Sequence, residues 1–305
     1  MRIVIWLIFT SLATTILPML QAEPRCTGNV ASLRLQMVGR SLIVVPVMIN
    51  HTGPYDFLVD TGAQVTTVDR ALATELSLRV EGTTGLVGVG YHVRPSFAHL
   101  SVLEAGEHGV VNPLVVVQSL EQLQAADPRI RGILGGNFLG HFDVFIDYVH
   151  KMLCLDDAKV MQAAVKGKHV ALTKPSHHDG GVVLTEPLII PVHLSGITAR
   201  PLLQLLDSGA NFPILYDSGR EVAGGFYVHT PIHDRGPDGV ERVFAVMPPQ
   251  DMEIGTLAFH QISFVSLVGT EKDVPKVEVD GLLPTALFRS VYISYADRFV
   301  VLEPW

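Results

Sequence analysis

Apolar residues in this chain fall in short runs broken by turn residues, and the three-and-four spacing of amphipathic helices is scarce. Val45-Pro46-Val47-Met48-Ile49-Asn50 reads as a strand that ends at a Gly53-Pro54 turn, followed by a second run from Tyr55 to Val59. Ile190-Pro191-Val192-His193-Leu194-Ser195 reads the same way, ending at Gly196, with Thr198 to Leu206 after it. Asn29 to Met37 and Ser41 to Asn50 predict a hairpin over Gly39-Arg40. Val170 to Thr173 and Val182 to Thr185 predict another over Ser176 to Gly181. Three short segments carry helical signals: Asp69 to Leu76 with Asp69 as N-cap, Ser119 to Ala125, and Pro284 to Phe288. The pattern predicts an all-β protein with a few short helices.

The chain also repeats itself. The runs ending at Val59 and Leu206 are each followed by an aspartate, Asp60 and Asp207, 147 positions apart. The same offset relates Ile146-Asp147-Tyr148 through Leu155-Asp156 to Ile293-Ser294-Tyr295 through Leu302-Glu303. A shared offset at both ends implies duplication of one β unit, with Asp157 to Val165 as the linker. The expected domains are a first lobe over 23–157 and a second over 158–305, preceded by a leader over 1–22.

With 305 residues the chain is long enough for two modest lobes with a real core. Hydrophobic residues make up 48% and charged ones 17%, which places it among globular proteins. Net charge is −8 and no Lys/Arg block occurs, so no nucleic-acid partner is expected. Arg2, the uncharged run Ile3 to Leu20 broken by Pro18, and the small residue Ala22 together read as a signal peptide cleaved before Glu23. That predicts an exported protein, secreted or periplasmic, whose first strand follows soon after the leader without room for a long pro-segment. The competing reading is an uncleaved membrane anchor, because the apolar run approaches the length of a span. Cys26 and Cys154 are the only cysteines. An exported chain permits one disulfide between them, but spacing alone leaves bridged and free states both open.

The candidate chemistry lies at the two strand ends. Asp60-Thr61-Gly62 follows Phe57-Leu58-Val59, Asp207-Ser208-Gly209 follows Leu202 to Leu206, and an alanine follows each triplet. A carboxylate placed directly after a buried strand is costly unless paired or hydrogen-bonded. Two that face each other can share one proton and divide acid and base duties, which suits hydrolysis by water without a metal or a covalent intermediate. Gly132-Ile133-Leu134-Gly135 lies downstream of the first triplet and Gly281-Leu282-Leu283-Pro284 downstream of the second. Asp60 precedes Leu134 by 74 residues and Asp207 precedes Leu283 by 76. A third triplet, Asp217-Ser218-Gly219, gives 66 and reads as a turn. His229 and His233-Asp234 have ligand-like spacing, but no third ligand is signalled and Thr230-Pro231 argues against a helix, so no metal is expected. His177-His178-Asp179 reads as a solvated turn. No phosphate-binding Gly-Lys-Ser/Thr sequence and no Gly-x-Ser-x-Gly elbow is present.

These motifs resemble the pepsin/retropepsin superfamily of aspartic proteases in a two-lobed, single-chain form, closest to secreted bacterial proteins with retropepsin-like lobes. The resemblance covers residues 29 to 303. It implies the acid protease fold, with two related six-to-seven-stranded β-barrel-like lobes, and an aspartic endopeptidase activity. Asp60 and Asp207 would be catalytic; Thr61, Gly62, Ser208 and Gly209 would support them. One aspartate, ionised, would take a proton from water while the other hydrogen-bonds the scissile carbonyl. The substrate would be a polypeptide lying extended across the cleft. No cofactor is implied, and a monomer suffices because both lobes are in one chain. The family's flap would fall on Gly82 to Tyr91, with Gly85, Gly88 and Gly90 as hinge glycines and Tyr91 near substrate; its second-lobe counterpart would be Val222 to Val243. Pro284 departs from the family's glycine and puts the bracing of Asp207 in question. The alternative is a non-catalytic, secreted peptide-binding protein on the same fold.

Overall fold

The computed structural model describes residues 26, 31–34, 36–39, 41–83, 85–88, 91–174, 185–195, 200–216, 231–235, 241–267 and 279–305. The leader over 1–22, the triplet at 217–219, His229, the 177–179 turn, and Gly90 lie outside them.

Among the described residues strands predominate and helices are few and short, as the sequence pattern predicts. In the first lobe Leu42–Ile49 and Thr52–Val59 form a hairpin with Val44 opposite Leu58 and Ile49 opposite Thr52. Its turn is Asn50-His51, with φ of 50° and 62°, rather than Gly53-Pro54, which lies within the second strand. A two-residue turn with both residues left-handed matches the twist of paired strands, and asparagine tolerates that conformation. Asn50 Oδ1 also accepts the N–H groups of Ser101 and Val102, which fixes the turn.

Leu42–Ile49 is buried on both faces. Ile43, Val45, Val47 and Ile49 enter the main core, while Leu42 and Val44 pack with Leu58 and Ile130 on the other side. This is why the run is apolar without clean alternation. The main core is continuous from Ile43 to Leu302 and includes residues of both lobes.

One topological device occurs twice. Ile130–Leu134 runs parallel to Thr52–Val59, with Val59 opposite Leu134, and antiparallel to Thr67–Asp69. Gly281–Pro284 runs parallel to Leu202–Asp207, with Leu206 opposite Leu283, and antiparallel to Ile214–Leu215. In each lobe the downstream strand is thus threaded between the aspartate strand and the strand that follows it. The described strands form a ten-stranded sheet in the first lobe and a nine-stranded sheet in the second.

A six-stranded sheet joins the lobes, taking three strands from each half in the order Ala31–Arg34, Met152–Asp156, Asp143–Asp147, Ser290–Ser294, Phe299–Glu303 and His169–Ala171. Its central pair crosses the boundary, with Val144 opposite Ile293 and Asp147 opposite Ser290. One predicted hairpin is revised by this sheet. Gln36–Val38 pairs with Leu42–Val44 as expected, but Ala31–Arg34 pairs with Met152–Leu155. His169–Ala171 pairs with Phe299–Val301, and the expected hairpin partner over 182–185 lies outside the described residues apart from Thr185. The shared sheet offers each terminal strand a long buried neighbour, which a local hairpin does not.

The predicted helices appear as Arg70–Glu75, capped by the Asp69 side chain on the Ala71 N–H, as Glu121–Ala126, and as a 3₁₀ turn over Thr285–Leu287. The linker is itself a helix, Ala158–Ala164, capped by Asp157 on the Lys159 N–H. Its Met161 packs with Tyr292, Phe299 and the Cys26–Cys154 pair against the joining sheet. The two cysteines form a disulfide with Cα atoms 5.8 Å apart.

Candidate active site

Both aspartates leave their strands at the point where the two lobes meet. Thr61 N–H donates to Ser208 Oγ at 3.0 Å, and Ser208 N–H donates to Thr61 Oγ1 at 3.0 Å. Thr61 Oγ1–H donates to Leu206 C=O at 2.9 Å and Ser208 Oγ–H to Val59 C=O at 2.7 Å. Each hydroxyl therefore accepts from one backbone group of the opposite lobe and donates to another. Thr61 and Ser208 are both buried, and such a bond set satisfies four backbone groups that would otherwise be orphaned.

This grip sets the distance between the acids. Gly62 lies so close to the opposite loop that a Cβ there would sit 2.6 Å from Asp207 Cγ, and one on Gly209 would sit 2.7 Å from Asp60 Cγ. Only glycine permits that approach. The two carboxyls are hydrogen-bonded to each other. Asp60 Oδ1 accepts the N–H groups of Gly62 at 2.9 Å and Ala63 at 3.0 Å. Asp207 Oδ1 accepts Gly209 N–H at 2.7 Å, and the Ala210 N–H also bonds this carboxyl.

Asp207 is 8% exposed and Asp60 is part-exposed. Burial raises Asp60 above the ordinary carboxylate range, with its bonds to Asp207 and the loop N–H groups opposing. Burial raises Asp207 well above that range, and the charge of Asp60 adds to it. Two acids so placed keep one proton between them and titrate as a unit. The paired aspartates of aspartic proteases are the established precedent for this behaviour.

The departure at Pro284 has a local compensation. In the first lobe Gly135 N–H donates to Thr66 Oγ1 at 3.1 Å, and Asn137 Oδ1 accepts the Thr66 N–H and Oγ1–H at 2.7 and 2.8 Å. Thr66 and Pro213 are structural counterparts, because Val116 N–H donates to Thr66 C=O and Val265 N–H to Pro213 C=O, both at 2.9 Å. Where the second lobe loses the N–H at Pro284 it therefore also lacks the hydroxyl that would receive it. The swap orphans no donor, and Asp207 keeps its loop bonds.

The segment expected to cover the cleft is a hairpin. Val80–Thr83 pairs with Ser96–His99, and Leu86–Gly88 continues as a pair with Tyr91–Val93. Gly88 and Tyr91 are partners in that register, and Gly85 lies in the exposed connection between the two strand pairs. The second-lobe stretch 222–243 is described only at 231–235 and 241–243, where Ile232–Arg235 pairs with Glu241–Phe244. His233 there bonds Glu241 at 2.8 Å. No group of three or more metal-ligating side chains occurs among the described residues.

Sequence reasoning missed a second pair of residues. Tyr148, at the end of the first lobe, shares a hydrogen bond with Thr285 Oγ1 of the second, and the Asp207 charge contributes to its raised pKa after burial. Tyr295, its counterpart 147 positions on, is raised by burial and then by the charge of Asp60. Each tyrosine thus stands near the other lobe's aspartate. The signal was present in the repeat, where both residues fall at the same step.

Residues 45–138 match the family Asp_protease_2, described as aspartyl protease. No curated protein matches the sequence. Among solved structures, a retropepsin-like aspartic protease from Rickettsia conorii is similar at 20% identity and a TM-score of 0.32, covering 41% of this chain and 90% of that one. The matched segment carries the first aspartate triplet, and the second lobe repeats that triplet across a shared grip.

Proposed function

We propose that this chain is an endopeptidase in which Asp60 and Asp207 activate water between them. The single observation that supports this most is the reciprocal contact of each aspartate with the other lobe's glycine, together with the bond between the carboxyls. The loop N–H groups hold each carboxyl in a fixed orientation. The ionised member of the pair removes a proton from water as it attacks the peptide carbonyl. The protonated member hydrogen-bonds the carbonyl oxygen and stabilises the charge that develops there. A proton then passes to the departing amine nitrogen, the C–N bond breaks, and a carboxylic acid and an amine leave. An extended polypeptide fits the cleft between lobes, with the hairpin 80–99 as its cover and backbone pairing as the source of affinity.

We also infer export. The Cys26–Cys154 disulfide suits an oxidising compartment, and the apolar leader suits secretion with cleavage before Glu23. The intact mass of the protein recovered outside the cytoplasm tests this; a chain retaining residues 1–22 contradicts cleavage.

The activity is tested by incubating the protein with an unfolded polypeptide, such as reduced and alkylated lactalbumin, at pH 3 to 7 and reading the fragments by mass spectrometry. Internal cleavage that falls by roughly 10²–10⁴-fold in Asp60→Asn and in Asp207→Asn, with the fold intact, supports the proposal. Cleavage unchanged in either variant removes it. Substrate binding without cleavage by the parent points to the peptide-binding alternative.

A further inference from the structure

The loop that leaves Asp207 carries an aromatic side chain in water. Phe212 is 49% exposed and packs into none of the hydrophobic clusters of the described residues. Both of its neighbours are fixed. Asn211 Oδ1 accepts the Ser41 Oγ–H of the first lobe at 2.5 Å, and the buried Pro213 offers its C=O to Val265 N–H at 2.9 Å.

The sheet register locates this phenyl relative to the acids. Gly281–Pro284 has Asp207 opposite Pro284 on one side and Ile214 opposite Leu282 on the other. Counting back two residues from Ile214 brings Phe212 level with Pro284 as well. Phe212 and Asp207 therefore flank the same residue, and two strand spacings put them about 10 Å apart. The same count in the first lobe, from Val44 opposite Leu58, brings Ser41 level with Thr61 of the grip. The Ser41–Asn211 bond thus crosses the lobe boundary beside the acid pair, and Phe212 stands next to it, at the level where the strands open on the cleft.

The other lobe differs at this point. Thr66 and Pro213 are counterparts, so Val65 is the counterpart of Phe212, and it is smaller and part-buried. The acids are matched between the lobes, while the apolar surface beside them is larger on one side. A phenyl face left in water gains free energy when another apolar group covers it. An extended peptide advances about 3.3 Å per residue, so a span of about 10 Å corresponds to two or three residues from the bond held at the acids.

We propose that Phe212 is a specificity-determining residue, which selects substrates with an apolar side chain two or three residues from the cut bond and on one side of it only. The inference rests on the peptidase reading for the position of that bond, and Phe212 acts by contact with substrate and takes no part in the chemistry.

The test incubates the full chain with a defined set of synthetic tetradecapeptides of evenly represented sequence and maps the cuts by mass spectrometry. In the parent, apolar residues are expected to exceed polar ones about tenfold at that position on one side of the cut. In Phe212→Ala and Phe212→Asn the ratio on that side falls at least about threefold, with circular dichroism showing the fold intact. Reading a ratio within each variant cancels any change in total rate. No one-sided enrichment in the parent, or an unchanged ratio in both variants, overturns the inference. If the parent cuts no peptide, the peptidase reading fails, and the same set is passed over the immobilised parent and Phe212→Ala. Retention of apolar peptides by the parent that falls at least about threefold in the variant supports Phe212 as a selecting contact; equal retention, or none, overturns it.

Discussion

Thr61 and Ser208 hold each other across the two lobes by the same bonds run in opposite directions, N–H to hydroxyl at 3.0 Å each way. Their hydroxyls then donate to Leu206 and Val59, the residues that precede the two aspartates. Thr61→Val or Ser208→Ala strands a buried N–H and a buried carbonyl. Each is expected to lower stability by roughly 1–3 kcal/mol and to reduce cleavage. The double variant loses less than the sum, because both act on one network. Denaturant unfolding of the three variants checks this, and additive losses contradict it.

Gly62 and Gly209 are the points where each lobe touches the other's acid. Alanine at either needs the opposite carboxyl to move, since the added carbon lies 2.6 or 2.7 Å from its Cγ. Gly62→Ala and Gly209→Ala are expected to cut cleavage at least about a hundredfold, in keeping with catalytic groups displaced by an ångström. A variant that cleaves at the parent's rate shows that the acids do not depend on this approach.

The acid pair also makes stability depend on pH. Both carboxyls have folded-state pKa values above the ordinary 3.8, so the folded chain binds protons more tightly than the unfolded chain. Their stabilising contribution is fully present below the unfolded value and is lost as pH rises through the folded ones. Urea midpoints of the parent should therefore drop between about pH 4 and neutrality, and Asp207→Asn should flatten that drop and exceed the parent at pH 7. A variant with the parent's full pH dependence contradicts the assignment.

Gln204 lies three residues before Asp207 and is 0% exposed, yet neither its Oε1 nor its Nε2 has a partner. Its counterpart in the first lobe is Phe57: Phe57 pairs with Gly132, and Gln204 with Gly281. A buried amide without bonds costs more than an apolar group of similar size. Gln204→Leu is expected to raise stability by about 1–3 kcal/mol, seen as a higher urea midpoint at unchanged slope, with activity retained. A lower midpoint indicates that the amide is satisfied.

The duplication explains why so much of the site was legible. The 147-residue offset paired Asp60 with Asp207, and the spacings to Leu134 and Leu283 placed the threaded strands, whose register puts those leucines opposite Val59 and Leu206. Asp69 announced its helix because an N-cap is a local signal. What escaped was nonlocal. Ala31–Arg34 and His169–Ala171 find their partners in the joining sheet, 124 and 130 residues away by the registers Ala31 to Leu155 and Val170 to Val300, and no periodicity states such a pairing. The helix Ala158–Ala164 could have been found from Asp157 followed by good helix formers, but reading the stretch as a linker hid it. The compensation of Pro284 by Pro213 needs the three-dimensional superposition of the two lobes, because neither proline signals the other in sequence.

The most direct measurement is an NMR titration of ¹³C-labelled aspartate carboxyls in the parent, Asp60→Asn and Asp207→Asn. If positions 60 and 207 hold one proton in common, one carboxyl of the parent stays protonated well above the ordinary range. Asp207 then titrates lower in Asp60→Asn, because the neighbouring charge is gone, while burial still keeps it above 3.8. Two aspartates that titrate independently near 3.8, each unmoved by replacement of the other, would contradict the shared site.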